Sequence, residues 1–205
     1  MALAVLSAGG LRVLLPDQLR VGEGPWAMLP LLVVLLVIIY IGDPGRIDRQ
    51  KEWLQVVTAV LIGLITVANT AAALQLVGAI IHVAPFTSNA IVLLKSGASV
   101  WLGNVIAFAL WYWQLDRGGP AARAAGTTAK PGFLFPEMLN DQYSGQGWYP
   151  KFVDYFAFAF ATSTAFSPTD VSALRPWSKL LQVVQEAVSL VVSLLVVARA
   201  VNILK

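Results

Sequence analysis

The chain has 205 residues, 58% hydrophobic and 12% charged, with a formal net charge of +3 and a mean hydropathy of +0.72. Soluble domains carry about 25% charged residues, so the composition excludes an ordinary soluble domain and indicates an all-α membrane protein in one membrane domain. The absence of Cys excludes disulfides, thiolate metal sites and Cys nucleophiles; His82 is the single histidine, and the scattered Lys and Arg build no basic face for nucleic acid.

Residues 1–24 are apolar as far as Pro16, but Gly9-Gly10 and Arg12 interrupt them. A span needs roughly 20 apolar residues, so this segment reads as an interfacial helix. Leu11, Val13, Leu14 and Leu15 are expected to face lipid, with Arg12 and Arg20 at headgroups. A fifth, poorly formed span is the alternative. The first span is placed at 25–41, with Trp26 and Tyr40 as interfacial aromatics. A charged loop, Gly42 to Glu52, follows it.

The second span falls within 53–82 and is uncharged from Trp53 to Ile81. Thr66, Asn69 and Thr70 lie near its middle and are expected to make interhelical hydrogen bonds. Ser88 or Asn89 is expected to cap the third span, 90–114. In that span Lys95 can snorkel, and Asn104 is placed to pair with Asn69. Trp111-Tyr112-Trp113 reads as an aromatic belt. Residues 115–151 form one long loop. Its small-residue stretch, Ala121 to Gly132, reads as flexible. Phe133–Met138 and Trp148–Pro150 are expected to rest on the membrane domain.

Residues 152–170 read as a re-entrant segment. A half-length aromatic helix begins at Phe152, and a polar run follows: Thr162, Ser163, Thr164, Ala165, Phe166, Ser167, Pro168, Thr169, Asp170. Ten to twelve helical residues make about half of a crossing. Non-helical backbone at membrane depth must be buried in protein or line water, and the hydroxyls supply the hydrogen bonds it lacks. The plain alternative is an external turn that caps a helix. The last span is placed at 178–204. At 100° per residue, Gln182, Glu186, Ser189 and Ser193 fall within about 60° of arc, with Ser178 and Gln185 on the border. A polar stripe on a spanning helix marks a buried seam or a water-filled path. Glu186 reads either as an intramembrane functional carboxylate or as a boundary residue paired with Lys179 or Lys95.

Tyr155 to Leu204 resembles the pore module of potassium-channel-type proteins, in which a pore helix, a filter and a lining helix follow one another. That family's filter ends Gly-Tyr-Gly-Asp. Here Thr162, Thr164 and Asp170 match, while Ser167, Pro168 and Thr169 replace the glycines and the tyrosine. Inward-pointing carbonyls need backbone angles open mainly to Gly, and Pro168 fixes φ and removes an N–H. A filter of the usual potassium type is therefore not expected. The whole chain also resembles uncharacterised bacterial integral membrane proteins that share LDRGGP, FLFP, FVDY, TAFSPTD and ARAVNIL.

The resemblance implies a homo-oligomeric, tetrameric pore that prefers monovalent cations, in a multi-pass inner-membrane protein. Thr162 to Thr169 would form the constriction, Asp170 a ring at its mouth, and Gln182, Glu186, Ser189 and Ser193 the vestibule. The alternative is a non-conducting scaffold or partner subunit that keeps the pore-loop shape. The charge balance places the loops at Arg46–Lys51 and Arg117–Lys151 inside, opposite to the usual entry side of such a pore loop. No nucleophile–base set and no carboxylate pair is visible, so neither an enzyme nor a cofactor or metal site is expected. Beyond lipid and copies of itself, the sequence names no partner.

Overall fold

The computed structural model describes residues 1–20, 28–42, 52–139, 145, 147–165 and 170–204. The described helices are α1 (Ala2–Val13), α2 (Met28–Gly42), α3 (Glu52–Ile81), α4 (Ala90–Leu115), α5 (Pro120–Ala124), α6 (Phe152–Ala165) and α7 (Pro176–Ile203). Two short strands, β1 (Phe133–Leu134) and β2 (Ser172–Ala173), pair antiparallel with Phe133 opposite Ala173.

Among the described residues, α3, α4 and α7 are long and apolar enough to cross a membrane. Helix α2 has only 15 described residues, a rise of about 22 Å against a hydrocarbon core of ~30 Å. The cap on α4 is Asn89, whose Oδ1 accepts from Ile91 N–H at 3.0 Å and Val92 N–H at 3.1 Å.

Helix α4 is the centre of the bundle and lies against α1, α3, α6 and α7. Of its most apolar window 61% is buried, against 39% for α3 and 22% for α7. The central place follows from its small residues, since Ser96, Gly97, Ser99, Gly103 and Ala107 are all buried. A Cβ at Gly97 would lie 2.7 Å from Val196 Cγ1 on α7, and one at Gly103 would collide with the Asn69 side-chain amide on α3. Without a hydrophobic drive between helices in lipid, such close backbone approach supplies the contact area. Asn69 thus packs on Gly103 and does not pair with Asn104.

Several expectations change here. Leu15 does not face lipid: it is 4% exposed and, together with buried Leu19, packs with Ala72, Leu76 and Leu93. At the other end of the same segment, Val5 and Ala8 pack with Leu61, Ile62, Ile106 and Leu110. Helix α1 therefore packs along α4. Gly9 lets α1 approach α2 closely as well, since a Cβ there would meet Leu32 of α2 at 3.1 Å. Tyr112 is fully buried, so the three aromatics at 111–113 are not one belt. Successive helical residues point about 100° apart, and Trp111 instead donates to Thr66 Oγ1 of α3 at 2.9 Å.

Helix α6 continues to Ala165. Thr162, Ser163 and Thr164 are thus helical and do not stand on the turn.

Candidate functional site

Helix α6 runs antiparallel to α4. Its first turn meets the end of α4, where Tyr155 donates to Asp116 Oδ2 at 2.6 Å. Phe158 then stacks on Tyr112, with centroids 5.2 Å apart, and Phe160 on Trp101 at 5.3 Å. Its 14 residues end about midway along α4, near Asn104. At the other end of α6, β2 pairs with β1 and Leu174 N–H donates to Gly132 O at 2.8 Å. Of the proposed filter, Phe166, Ser167, Pro168 and Thr169 lie outside the described residues; Asp170 is exposed.

The inner end of α6 is held by a closed polar seam. Gln185 of α7 is fully buried and is its hub. Its amide nitrogen donates to Ala159 O at 2.6 Å and to Ser163 Oγ at 2.8 Å. Its amide oxygen accepts from Tyr112 Oη at 2.5 Å. Ser189 donates to Ser163 Oγ at 3.0 Å, and Asn104 Nδ2 donates to Ser189 Oγ at 2.9 Å and to Gln185 O at 3.1 Å. Three helices thus meet through neutral groups with nearly every donor matched, as burial in a low dielectric demands. Beside the seam, Thr162 is an exception: its buried Oγ1 has no partner among the described residues.

The structure divides the predicted stripe on α7. Ser189 is buried inside the seam, whereas Gln182, Glu186 and Ser193 are half-buried on one flank. Gln182 Nε2 donates to Glu186 Oε1 at 3.0 Å. The remaining faces of α7 are exposed Leu and Val, such as Val183, Leu190, Leu194 and Val197. Sequence reasoning left Gln185 at the edge of the stripe. A usable signal lay in its spacing: Ser178, Gln185, Ser189, Val192 and Val196 recur at the seven-, four- and three-residue steps of a helix seam.

The outer end of α6 is held by a second, charged knot that the sequence did not reveal. It begins where α4 stops. Arg117, Gly118 and Gly119 have φ of 49°, 79° and 94°, which reverses the chain. Left-handed backbone at Arg117 costs of order 1 kcal/mol or more, and the knot around it supplies the compensation. Asp116 is fully buried. Its Oδ1 accepts from Gly132 N–H at 2.6 Å, its Oδ2 from Tyr155, and Arg117 Nε lies 3.6 Å away. Arg123, 3% exposed, donates to Asp116 O at 2.6 Å and to Trp113 O at 2.7 Å.

Arg123 therefore caps the last carbonyls of α4, where a cation also suits the helix dipole. Its guanidinium carbon sits 5.0 Å from the Tyr155 ring centre, a cation–π contact. Burial pulls its pKa down, and Tyr155 and Asp116 oppose that shift.

Gly132 joins the knot to α7. Its carbonyl also accepts from Ser178 Oγ at 2.8 Å, and a Cβ there would run into Trp177. Phe133 is then wedged among Tyr112, Phe158, Tyr155 and Trp177 at 4.8 to 6.2 Å. The stretch from Ala121 to Gly132 is consequently not uniformly loose, since it contains α5, buried Arg123 and buried Gly132. The aromatics Phe133, Phe135 and Trp148 do rest on the foot of α6, as expected, with Phe135 against Tyr155 at 5.2 Å. No group of His, Cys, Asp and Glu fit for a metal ion exists among the described residues. The chain matches no protein-family model, no curated protein and no solved structure, so what this site does must be argued from its own geometry.

Proposed function

We propose that this chain is a multi-pass inner-membrane protein whose C-terminal part, Phe152 onward, is a pore-loop-shaped module acting as a non-conducting scaffold or partner subunit. The observation that carries this reading is the closed seam. Ser163, Gln185 and Ser189 are fully buried within one chain, bonded to each other and to Asn104 and Tyr112. A water path along this line of α7 needs those polar atoms open to water. The re-entrant shape is kept in the proposal. Helix α6 has 14 residues, a rise of about 21 Å against a core of ~30 Å; it starts beside the end of α4 and stops beside its middle. Helix α2 supplies the fourth span, with the local bilayer thinned to match its length.

A tetrameric cation pore is the second reading, favoured by one observation. Gln182, Glu186 and Ser193 stay half-buried on a flank that copies of the chain can bring together. That assembly would also bring together copies of Asp170, which is exposed.

Planar-bilayer recording of the pure protein separates the two. The scaffold reading expects no cation current above that of lipid alone, in the intact chain and in Glu186→Gln. A cation current in the intact chain that falls in Glu186→Gln, together with a tetrameric mass in native detergent, overturns it and establishes the pore.

A further inference from the structure

Two openings on the surface share one wall, the ring of Phe152. The first, about 390 Å³, lies beside the charged knot and is lined by Trp113, Arg123, Tyr149, Pro150, Lys151 and Phe152. The second, about 570 Å³, is an apolar groove between α1 and α6 with α4 as its floor. Leu3, Gly10 and Leu14 form one side, Leu102 and Ile106 the floor, and Phe152 and Phe156 the other side.

The first opening is cationic. Arg123 is 97% buried, taken from its 3% exposure, and its Nε has no hydrogen-bond partner among the described residues. Lys151 is exposed at the rim. Asp116 is engaged by Tyr155, Gly132 and Arg117, and the terminal nitrogens of Arg123 by the Trp113 and Asp116 carbonyls, so the cationic groups left to the opening are Arg123 Nε and the Lys151 ammonium. Trp113 and Tyr149 are the amphipathic aromatics found at headgroup level. The groove below is lined by aliphatic and aromatic side chains, and Leu3 and Leu14 on its rim are 82% and 60% exposed.

A basic pocket beside a spanning helix suits a phosphate-bearing headgroup, and an adjoining apolar channel suits the chain attached to it. We infer that these two openings are one site for an anionic phospholipid, with its phosphate between Arg123 and Lys151 and one acyl chain passing Phe152 into the groove between α1 and α6. Free phosphate would use only the first opening. The adjacency of the two openings on either side of Phe152 is what selects the lipid. The inference is independent of whether the chain conducts, and it gives α1 a role at the site, since one wall of the acyl groove is built from it.

The test is native mass spectrometry of the full chain in a neutral detergent. It is titrated separately with phosphatidylglycerol, phosphatidylcholine and inorganic phosphate. Retention of phosphatidylglycerol over phosphatidylcholine is expected. Lys151→Ala is expected to weaken phosphatidylglycerol retention about fivefold, the effect of one basic group near an anionic headgroup. Gly10→Leu fills the groove, because nothing lies within 4 Å of a Cβ at that position. It is expected to weaken retention without loss of helix by circular dichroism. Equal retention of the two lipids overturns the site. So does retention unchanged in both variants. Inorganic phosphate that binds alone and displaces the lipid, with Gly10→Leu silent, assigns the pocket to free phosphate and also overturns it.

Discussion

Two buried polar networks hold α6, and they are made of different groups. The seam at its inner end is neutral, built from the amides of Asn104 and Gln185 and the hydroxyls of Tyr112, Ser163 and Ser189. The knot at its outer end is ionic, with Asp116, Arg117 and Arg123 locked to backbone at Trp113 and Gly132. The seam lies midway along α4 and the knot at its end. A charge at the centre of a bilayer costs ~2.5–3.5 kcal/mol by insertion scales. Neutral interhelical hydrogen bonds there return only about 0.6 kcal/mol each. The chain accordingly keeps charge where carbonyl ends are waiting to be capped, and uses many weak neutral bonds where register must be set. The knot is the anchor of α6, and the seam aligns it.

Four substitutions test that division, in falling order of effect. Asp116→Leu strips the carboxylate from Tyr155, from Gly132 N–H and from Arg117, while Arg123 keeps the main-chain carbonyl it caps. It is expected to cost about 3–5 kcal/mol, the loss on breaking a buried ion pair, read as thermal unfolding in detergent. Gly132→Val drives a side chain into Trp177 and against Asp116 Oδ1 at 3.3 Å, with an expected cost of ~1–3 kcal/mol. Gln185→Leu leaves the Tyr112 hydroxyl and Ala159 O without their seam partner, and about 2 kcal/mol is expected from several such bonds. Should Gln185→Leu prove more damaging than Asp116→Leu, the seam is the anchor and the assignment above is reversed. Tyr112→Phe is the mildest. In a double-mutant cycle with Gln185→Leu it should show a coupling of about 0.6 kcal/mol, and a coupling near zero would remove Tyr112 from the network.

Hydropathy made α3, α4 and α7 legible, because a long uncharged run suits no soluble context. The cap at Asn89 was legible for its residue type and its place just before an apolar run. Which helix lies at the centre was not. By mean hydropathy α7 exceeds α4, at 2.1 against 1.6, yet the small residues of α4, not its apolarity, bring neighbours onto it. The polar stripe of α7 was visible as a stripe, but periodicity does not say whether a partner helix or water meets it. Its buried line centres on Gln185 and Ser189, so Gln182, Glu186 and Ser193 fall to the flank.

The knot gave no periodic sign at all. Its members stand at 116, 123, 132, 155 and 178, separated by loops, and the small residues around Arg123 resemble a slack linker. Only the Asp-Arg-Gly-Gly-Pro turn hinted that the chain reverses there on purpose.

The central place of α4 also has a consequence in time. The chain is made from its N-terminus, so α1 and α3 are present when α4 is inserted, but α6 and α7 are not. Asn104 then waits for Ser189, which lies 85 residues later, or roughly 4 to 17 seconds at about 5–20 residues per second of synthesis. Early in that interval, before α6 is made, Asn104, Tyr112 and Asp116 face lipid, insertase or chaperone with none of their partners from α6 and α7. A nascent chain arrested before Phe152 should therefore be cleared by membrane proteases faster than one arrested after Lys205 has emerged. Equal lifetimes in a pulse–chase comparison would show that α4 has no need of this protection.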